Sequence, residues 1–267
     1  MRLIIPAAGA GVRFGGVENA VPKLLIPVFG RPLISHVLRM ASTTGLFSQV
    51  VVILGPHFEA VVQTLQELAS GLRWSSAVEI LCIKNPVFEA TNNVFSLHLA
   101  REYLEGDILI HNSDVLIAPV LLKRLLLEGT QDAGWVLVDK LLPVPEDETK
   151  VIVDATSRVV EIGEEIPSNR GHGRYVGVCR FNSGAAQIFK ETVASLVEHG
   201  EVGVFYTKAI KEVASRCLVK SVWTNGSPWF EIDTPQDFRS AAAKSREIVQ
   251  QVSTRQSGEL ATVRVIE

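Results

Sequence analysis

Cysteine is scarce in this chain, with three in 267 residues. Cys82, Cys179 and Cys217 lie far apart and form no C-x-x-C pair, which argues against a zinc ribbon, a redox dithiol or a disulfide framework. Each thiol is expected in or near the core, and a reducing, cytoplasmic setting follows. Charge of one sign is also missing. The formal net charge is -3, without the basic surplus or stripe that marks a nucleic-acid binder. No apolar run approaches the roughly 18 residues of a membrane span. The opening MRLIIPAAG is broken by Pro6 and Gly9 too early for a signal peptide. The six histidines show no metal-ligand spacing, although His172 sits in a glycine-rich loop that faces a substrate in one reading. No internal repeat is visible. A hydrophobic content of 47% leaves one well-cored domain, or one domain with a small appendage.

Secondary-structure signals are dense. In the first half, short Val/Ile/Leu runs alternate with amphipathic segments. RLIIPA, SQVVVILG, VEILCIKN and GDILIHNSD read as strands, and PLISHVLRMAST, FEAVVQTLQELAS and NVFSLHLAREYL as helices. Strands written as continuous apolar runs imply a parallel sheet covered on both faces. Ligands on such sheets collect at the carboxyl ends of the strands. The second half is β-rich. VIVDATSRVVEI reads as a hairpin turning at Asp154–Arg158, and GWVLVDK, RYVGVCRF and CLVKSVWT as further strands, interrupted by two helices. We expect one domain over residues 1–244, with a nucleotide-type half at 1–130 and an acceptor half at 131–244. In the tail, 245–267, TVRVIE is a candidate for an added strand or a contact with a neighbour.

The stretch after the first strand carries the chemistry. Ala7, Ala8, Gly9, Ala10 and Gly11 free backbone N–H groups and let an anion approach closely. Arg13 offers a planar fork to two phosphate oxygens, and Lys23 a compact charge. No G-K-[ST] follows, so this is not a Walker A loop. Phe14 stands where a dinucleotide fingerprint requires its third glycine. On spacing alone, a phosphate cradle and a plain turn remain equal.

PAAGAGVRFG followed by PKLLIPVFGRPLISHVL resembles the opening signature of the nucleotidyltransferase superfamily that activates sugar phosphates and small phospho-alcohols. ILIHNSDVLI and WFEIDTPQDFRSA resemble the two stretches that supply its acidic metal ligands. NPVFEATNNVFSLHLA, with EDETKVIVD, YVGVCRF and FYTKAIKEV, is most similar to the phosphocholine and small-phosphonate cytidylyltransferase branch. The opening is also similar to methylerythritol phosphate cytidylyltransferases, which are shorter and lack the EID ending. The resemblance implies a Rossmann-like, mixed, mostly parallel sheet flanked by helices. It implies a magnesium-dependent transfer of CMP from CTP to phosphocholine or an aminoethylphosphonate-type acceptor, with pyrophosphate released. Arg13 would hold the departing phosphates and Lys23 the α-phosphate. Asp114 and Asp233 would hold magnesium, with Glu231 beside them. One of Asn92 and Asn93 is expected to cap the following helix, and the other to read the nucleotide base or line the substrate pocket. Asn112, Trp135, Lys150, Tyr175, Trp229 and Glu231 are candidates for the acceptor.

One departure stands out: Asn112 occupies the place of the first aspartate in an Asp-x-Asp pair, which shifts metal affinity toward Asp233. Each assignment has an ordinary structural counterpart. Asp114 suits a turn, Asp233 a helix cap, Lys150 a solvated loop, and the aromatics Trp135, Tyr175, Trp223, Trp229 and Phe230 core packing rather than a cation–π box. Competing readings are a sugar-1-phosphate nucleotidyltransferase that uses UTP or another triphosphate, and a non-catalytic nucleotide sensor. Expected partners are these small molecules, with neither nucleic acid nor membrane insertion, and a homodimer is left open.

Overall fold

The structure, a computed structural model, describes residues 1–9, 22–127, 133–234, 236, 237, 239, 248 and 257–266. In chain order the elements are β1 (Arg2–Ala7), β2 (Pro27–Val28), β3 (Arg31–Pro32), α1 (Leu33–Thr44), β4 (Gln49–Leu54), α2 (Phe58–Gly71), β5 (Glu79–Lys84), α3 (Asn93–Leu99), β6 (Ile108–His111), β7 (Val115–Ile117) and α4 (Pro119–Leu127). There follow β8 (Gly134–Asp139), β9 (Lys150–Val153), β10 (Val159–Gly163), β11 (Gly173–Phe181), α5 (Ser183–Glu198), α6 (Thr207–Arg216), β12 (Val219–Trp223), β13 (Trp229–Glu231) and β14 (Thr262–Ile266).

Ten strands form one sheet along the path β10-β9-β11-β6-β1-β4-β5-β14, with β8 paired to β11 and β12 paired to β8. The β1, β4, β5, β6 and β14 pairings are parallel, as is β8 with β12. Strand β11 runs antiparallel to β6, β8 and β9, which gives the mixed, mostly parallel sheet expected.

Strand side chains alternate between two cores, as the pleat requires. Leu3, Ile5, Val50 and Val52 face one layer with residues of α1, α2 and α4. Ile4, Val51 and Ile53 face the other, with residues of α3, α5 and α6. Both faces are therefore dry, which explains why β1 and β4 read as unbroken apolar runs rather than alternating ones. A fully buried Leu or Ile in these layers contributes about 1.5–3 kcal/mol relative to exposure. Cys82 and Cys179 are buried here, and burial pushes both thiols up to about 12, so they are inert packing groups. Cys217 is half-buried.

The hairpin of β9 and β10 turns at Asp154, whose Oδ1 accepts from the N–H groups of Thr156 at 2.7 Å and Arg158 at 3.0 Å. The final strand adds to the sheet edge, parallel to β5, with Thr262 beside Glu79 and Ile266 beside Ile83. Among the described residues no helix is long and apolar enough to cross a membrane.

Candidate active site

The carboxyl ends of β1 and β6 open into a cavity of about 480 Å³. Its wall is built from both halves of the chain. On the β1 side lie Ala7, Ala8 and Gly9, and Asn92 and Asn93 at the start of α3. Gly55, directly after β4, makes room for this turn: a Cβ there would stand 2.4 Å from the Ala8 carbonyl oxygen. Ala10, Gly11 and Arg13 lie outside the described residues.

At the centre, Lys23 opens a short 3-10 turn anchored by buried Leu24. Its Nζ donates to Asp114 Oδ2 at 2.8 Å and also to Asp233 Oδ1. Asp114 arrives on the bend between β6 and β7, and Asp233 just past β13. These two short strands pair antiparallel, with Glu231 opposite Val115. The Ile232 N–H extends the ladder to the Asp114 carbonyl oxygen at 2.9 Å. The ladder is thus what joins acids 119 residues apart. The turn that follows carries a reciprocal capping pair: Thr234 N–H donates to Asp237 Oδ2 at 2.8 Å, and Asp237 N–H to Thr234 Oγ1 at 3.2 Å.

Asp114, Glu231 and Asp233 each offer an oxygen within 4.8 Å of the others. Such crowding is costly. Burial, then the charge of Asp114, push the Glu231 carboxyl up to about 8, against the pull of Arg174. For Lys23, burial pulls the pKa down, but Asp114 and then Asp233 outweigh it and leave it raised. An all-oxygen donor set with surplus negative charge fits a hard divalent cation.

The second half supplies the far wall, with Asp147, Glu148, Thr149, Glu164 and Tyr175. Arg174 pairs with Glu148 at 2.7 Å and with Glu231, and its guanidinium lies 4.7 Å from the centre of the Trp229 ring. Burial raises the Glu148 and Glu164 carboxyls. A hydroxyl chain runs beneath: the Tyr175 and Tyr206 hydroxyls are 2.9 Å apart, and Tyr206 donates to Asn112 Oδ1 at 2.8 Å. Burial holds both phenols far above their usual pKa, so they stay protonated donors. Gly177, at φ +87°, lets Asn112 sit flat against β11, where a Cβ would meet Asn112 Nδ2 at 2.6 Å.

Three candidates from the sequence, Trp135, Lys150 and Trp229, do not line the cavity. Trp135 is 1% exposed inside the core and stacks on the Arg180 guanidinium, 4.7 Å from its ring centre. It does not reach the cavity, because β8 is covered on both faces. Lys150 is not a loop cation facing a phosphate. Its side chain is fully buried, and Nζ donates to the carbonyl oxygens of Glu164 at 2.9 Å and of Glu146. The cation–π box does not assemble from the aromatics named: the Trp135 and Trp229 indoles are taken by arginines of the protein itself. Asn92 caps α3, its Oδ1 accepting from Asn93 N–H at 2.7 Å, while Asn93 Oδ1 accepts from Tyr206 N–H at 2.8 Å. Both still line the cavity. Arg174, Glu148, Glu164 and Tyr206 were not singled out from the sequence. The acidic runs EDE and GEE were the available signal for two of them.

Residues 3–161 match the family of MobA-like NTP transferase domains. The CMP-5'-(3-aminopropyl)phosphonate synthase of Streptomyces rubellomurinus is 38% identical over 125 residues, 47% of this chain and 19% of that protein. The chain spans 19% to 59% of the length of the first three curated relatives it matches. The inositol-1-phosphate CTP transferase of T. maritima superposes with a TM-score of 0.74 at 21% identity, covering 94% of this chain and 97% of that one. The CTP:phosphocholine cytidylyltransferase of Streptococcus pneumoniae gives 0.68 at 20% identity, covering 91% and 97%. These two likenesses establish the fold.

Proposed function

The chain belongs to the family of MobA-like NTP transferase domains, and from that membership we propose that it transfers CMP from CTP to a small phosphonate or phosphate bearing an amine, releasing pyrophosphate. The observation that carries this reading is the polarity of one continuous cavity. Backbone and amide groups of Ala7, Ala8, Gly9, Asn92 and Asn93 line one side, and the acids Asp147, Glu148 and Glu164 line the other, with Lys23 and its carboxylates between. The first side suits a nucleoside triphosphate and the second a cationic amine. The name of the Streptomyces relative, which describes a CMP-linked aminoalkyl phosphonate, supports the same pairing.

The reaction joins an acceptor oxygen to the α-phosphorus and breaks its bond to the bridging oxygen of pyrophosphate. The acceptor oxygen is anionic at neutral pH, so no general base is required. The protein's work is in-line positioning and neutralisation of charge. Backbone N–H groups of the loop after β1 receive phosphate oxygens. Lys23 turns from Asp114 and Asp233 toward the α-phosphate, where negative charge builds. Arg13, beyond the described residues, holds the departing phosphates. Asp114, Asp233 and Glu231 would hold a magnesium ion, which when bound neutralises triphosphate charge. Arg174 pairs with both Glu148 and Glu231 and so ties an acid of the far wall to a candidate metal ligand. The protonated Tyr206 hydroxyl holds Asn112 in the cavity wall.

The test is pyrophosphate release with magnesium, crossing CTP, UTP, ATP and GTP with aminoalkyl phosphonates, phosphocholine, phosphoethanolamine, inositol 1-phosphate and sugar 1-phosphates. Release with CTP and an amine-bearing acceptor is expected. Release only with UTP and a sugar 1-phosphate would replace the acceptor reading. No release, with a triphosphate still raising the melting temperature, would leave a binding module.

A further inference from the structure

Lys150 is a fully buried cation on the first residue of β9. Taking an ammonium out of water costs several kcal/mol. Here it is offset by two carbonyl oxygens, with the exposed Glu146 carboxylate 3.8 Å away. The stem is packed tightly: a Cβ on Gly171 would meet Lys150 Cβ and Cγ at 3.1 Å. An apolar side chain of the same length would fill that space without the desolvation cost, so general stability does not account for the charge.

Its position does. The last rung of the β9–β10 ladder pairs Lys150 with Gly163. Beyond that rung strand pairing ends, and the next residues on each side, Thr149 and Glu164, both line the cavity. Lys150 Nζ bonds to one carbonyl on each of these two diverging segments, at Glu146 and Glu164. It thereby closes the gap just where backbone pairing no longer does so. The clamped segments carry Asp147, Glu148 and Glu164, the acids of the acceptor wall.

We infer that Lys150 is a positioning residue that sets recognition of the acceptor's amine by holding these acids at a fixed separation, without touching substrate. The inference rests on the amine-bearing acceptor proposed above. A lysine bound to the acceptor's phosphonate would behave differently, because it would serve acceptors with and without an amine alike.

The experiment compares kcat/KM for 3-aminopropylphosphonate and propylphosphonate at saturating CTP in the wild type, Lys150→Met and Lys150→Gln. The wild type is expected to favour the amine by about tenfold or more. Lys150→Met should lose about tenfold on the aminated acceptor and less than about twofold on propylphosphonate, with KM for CTP within about twofold of wild type. Equal losses on both acceptors would overturn the inference in favour of direct contact, and an unchanged preference would overturn it outright. If Lys150→Met fails to fold, Lys150→Gln, which keeps an N–H for one carbonyl, carries the same comparison. A wild type without preference for the amine, or without turnover of either acceptor, overturns the amine reading and this inference with it, whereas a wild-type preference that survives in the variants overturns this inference alone.

Discussion

Replacing Lys23 by methionine keeps the length of the side chain and removes its charge from a site with three carboxylates. In the structure the ammonium donates to Asp114 and Asp233, and Glu231 lies within 4.8 Å of both. About a fifth of the Lys23 and Asp114 side chains is exposed, so the pairs are largely but not wholly desolvated. Breaking a buried pair costs 3–5 kcal/mol, and partial exposure puts this one near the low end, about 3 kcal/mol. For a domain of this size that corresponds to a fall in melting temperature of roughly 6–12 °C in metal-free buffer. Magnesium should reverse the order. In the wild type the ammonium must leave Asp114 and Asp233 before a divalent ion can take their oxygens; in Lys23→Met that competitor is gone. The variant should bind magnesium about tenfold more tightly and recover most of its lost stability on titration. Its turnover should still fall by about 10²–10³, because the charge facing the α-phosphate is gone. Differential scanning fluorimetry with and without magnesium, and no nucleotide, reads the first two effects. If Lys23→Met melts with the wild type in chelator and gains no more than the wild type from magnesium, the ammonium is not seated on these carboxylates in solution and the reasoning fails.

Other expectations are more local. Asp114→Asn and Asp233→Asn should each raise the magnesium concentration for half-maximal turnover by about tenfold or more; unchanged titrations in both would remove them from the site. Gly177→Ala places a Cβ 2.6 Å from Asn112 Nδ2 at a φ of +87°. It should cost about 1–3 kcal/mol in urea unfolding and lower turnover with it, because Asn112 and Tyr206 must shift together. His111 is fully buried, its Nδ1 lies 2.8 Å from the Asn112 carbonyl oxygen, and burial lowers its pKa from 6.5 to about 4. The folded state holds it neutral, so its contribution is complete above pH 6.5 and is lost as pH falls toward 4, by about 3 kcal/mol in all. Stability measured from pH 7 to 4.5 should therefore decline less steeply in His111→Leu than in the wild type, and parallel curves would exclude this source.

Much of the architecture was legible because its causes are local. Strands buried on both faces must be apolar throughout, so β1, β4 and β5 show themselves as runs. Asp154 declares its hairpin because an aspartate bonds its own turn. Lys23, Asp114 and Asp233 stood out from motif resemblance, and the structure brings the three side chains into contact across gaps of 91 and 210 residues. The late strand at WFEID was legible by resemblance, but its antiparallel pairing with β7, which joins them, was not, since three-residue strands carry too little pattern to show a partner. Lys150 failed for a related reason. A lysine after an acidic run looks solvated, and only the convergence of two carbonyl oxygens from either flank of a hairpin makes its burial tolerable. Trp135 and Trp229 were acceptor candidates for which core packing was the ordinary reading, and their rings carry Arg180, the register partner of Trp135 on the adjacent strand, and Arg174.

The two sides of the cavity are made by different means. On the β1 side the groups offered to a ligand are largely main-chain atoms at the end of a parallel strand, fixed by the sheet registers of β1 with β4 and β6. Gly55 keeps that turn in place, because a Cβ there would stand 2.4 Å from the Ala8 carbonyl oxygen. On the acceptor side the groups are side chains on segments that have left the β9–β10 ladder, held by discrete links from Lys150 and Arg174. A few substitutions there can reset charge and spacing without disturbing the sheet. If the proposed function holds, a scaffold divided this way would keep triphosphate chemistry constant while the acceptor changes, and acceptor specificity would lie in residues 146–174, where Asp147, Glu148 and Glu164 line the cavity and Lys150 and Arg174 link their segments.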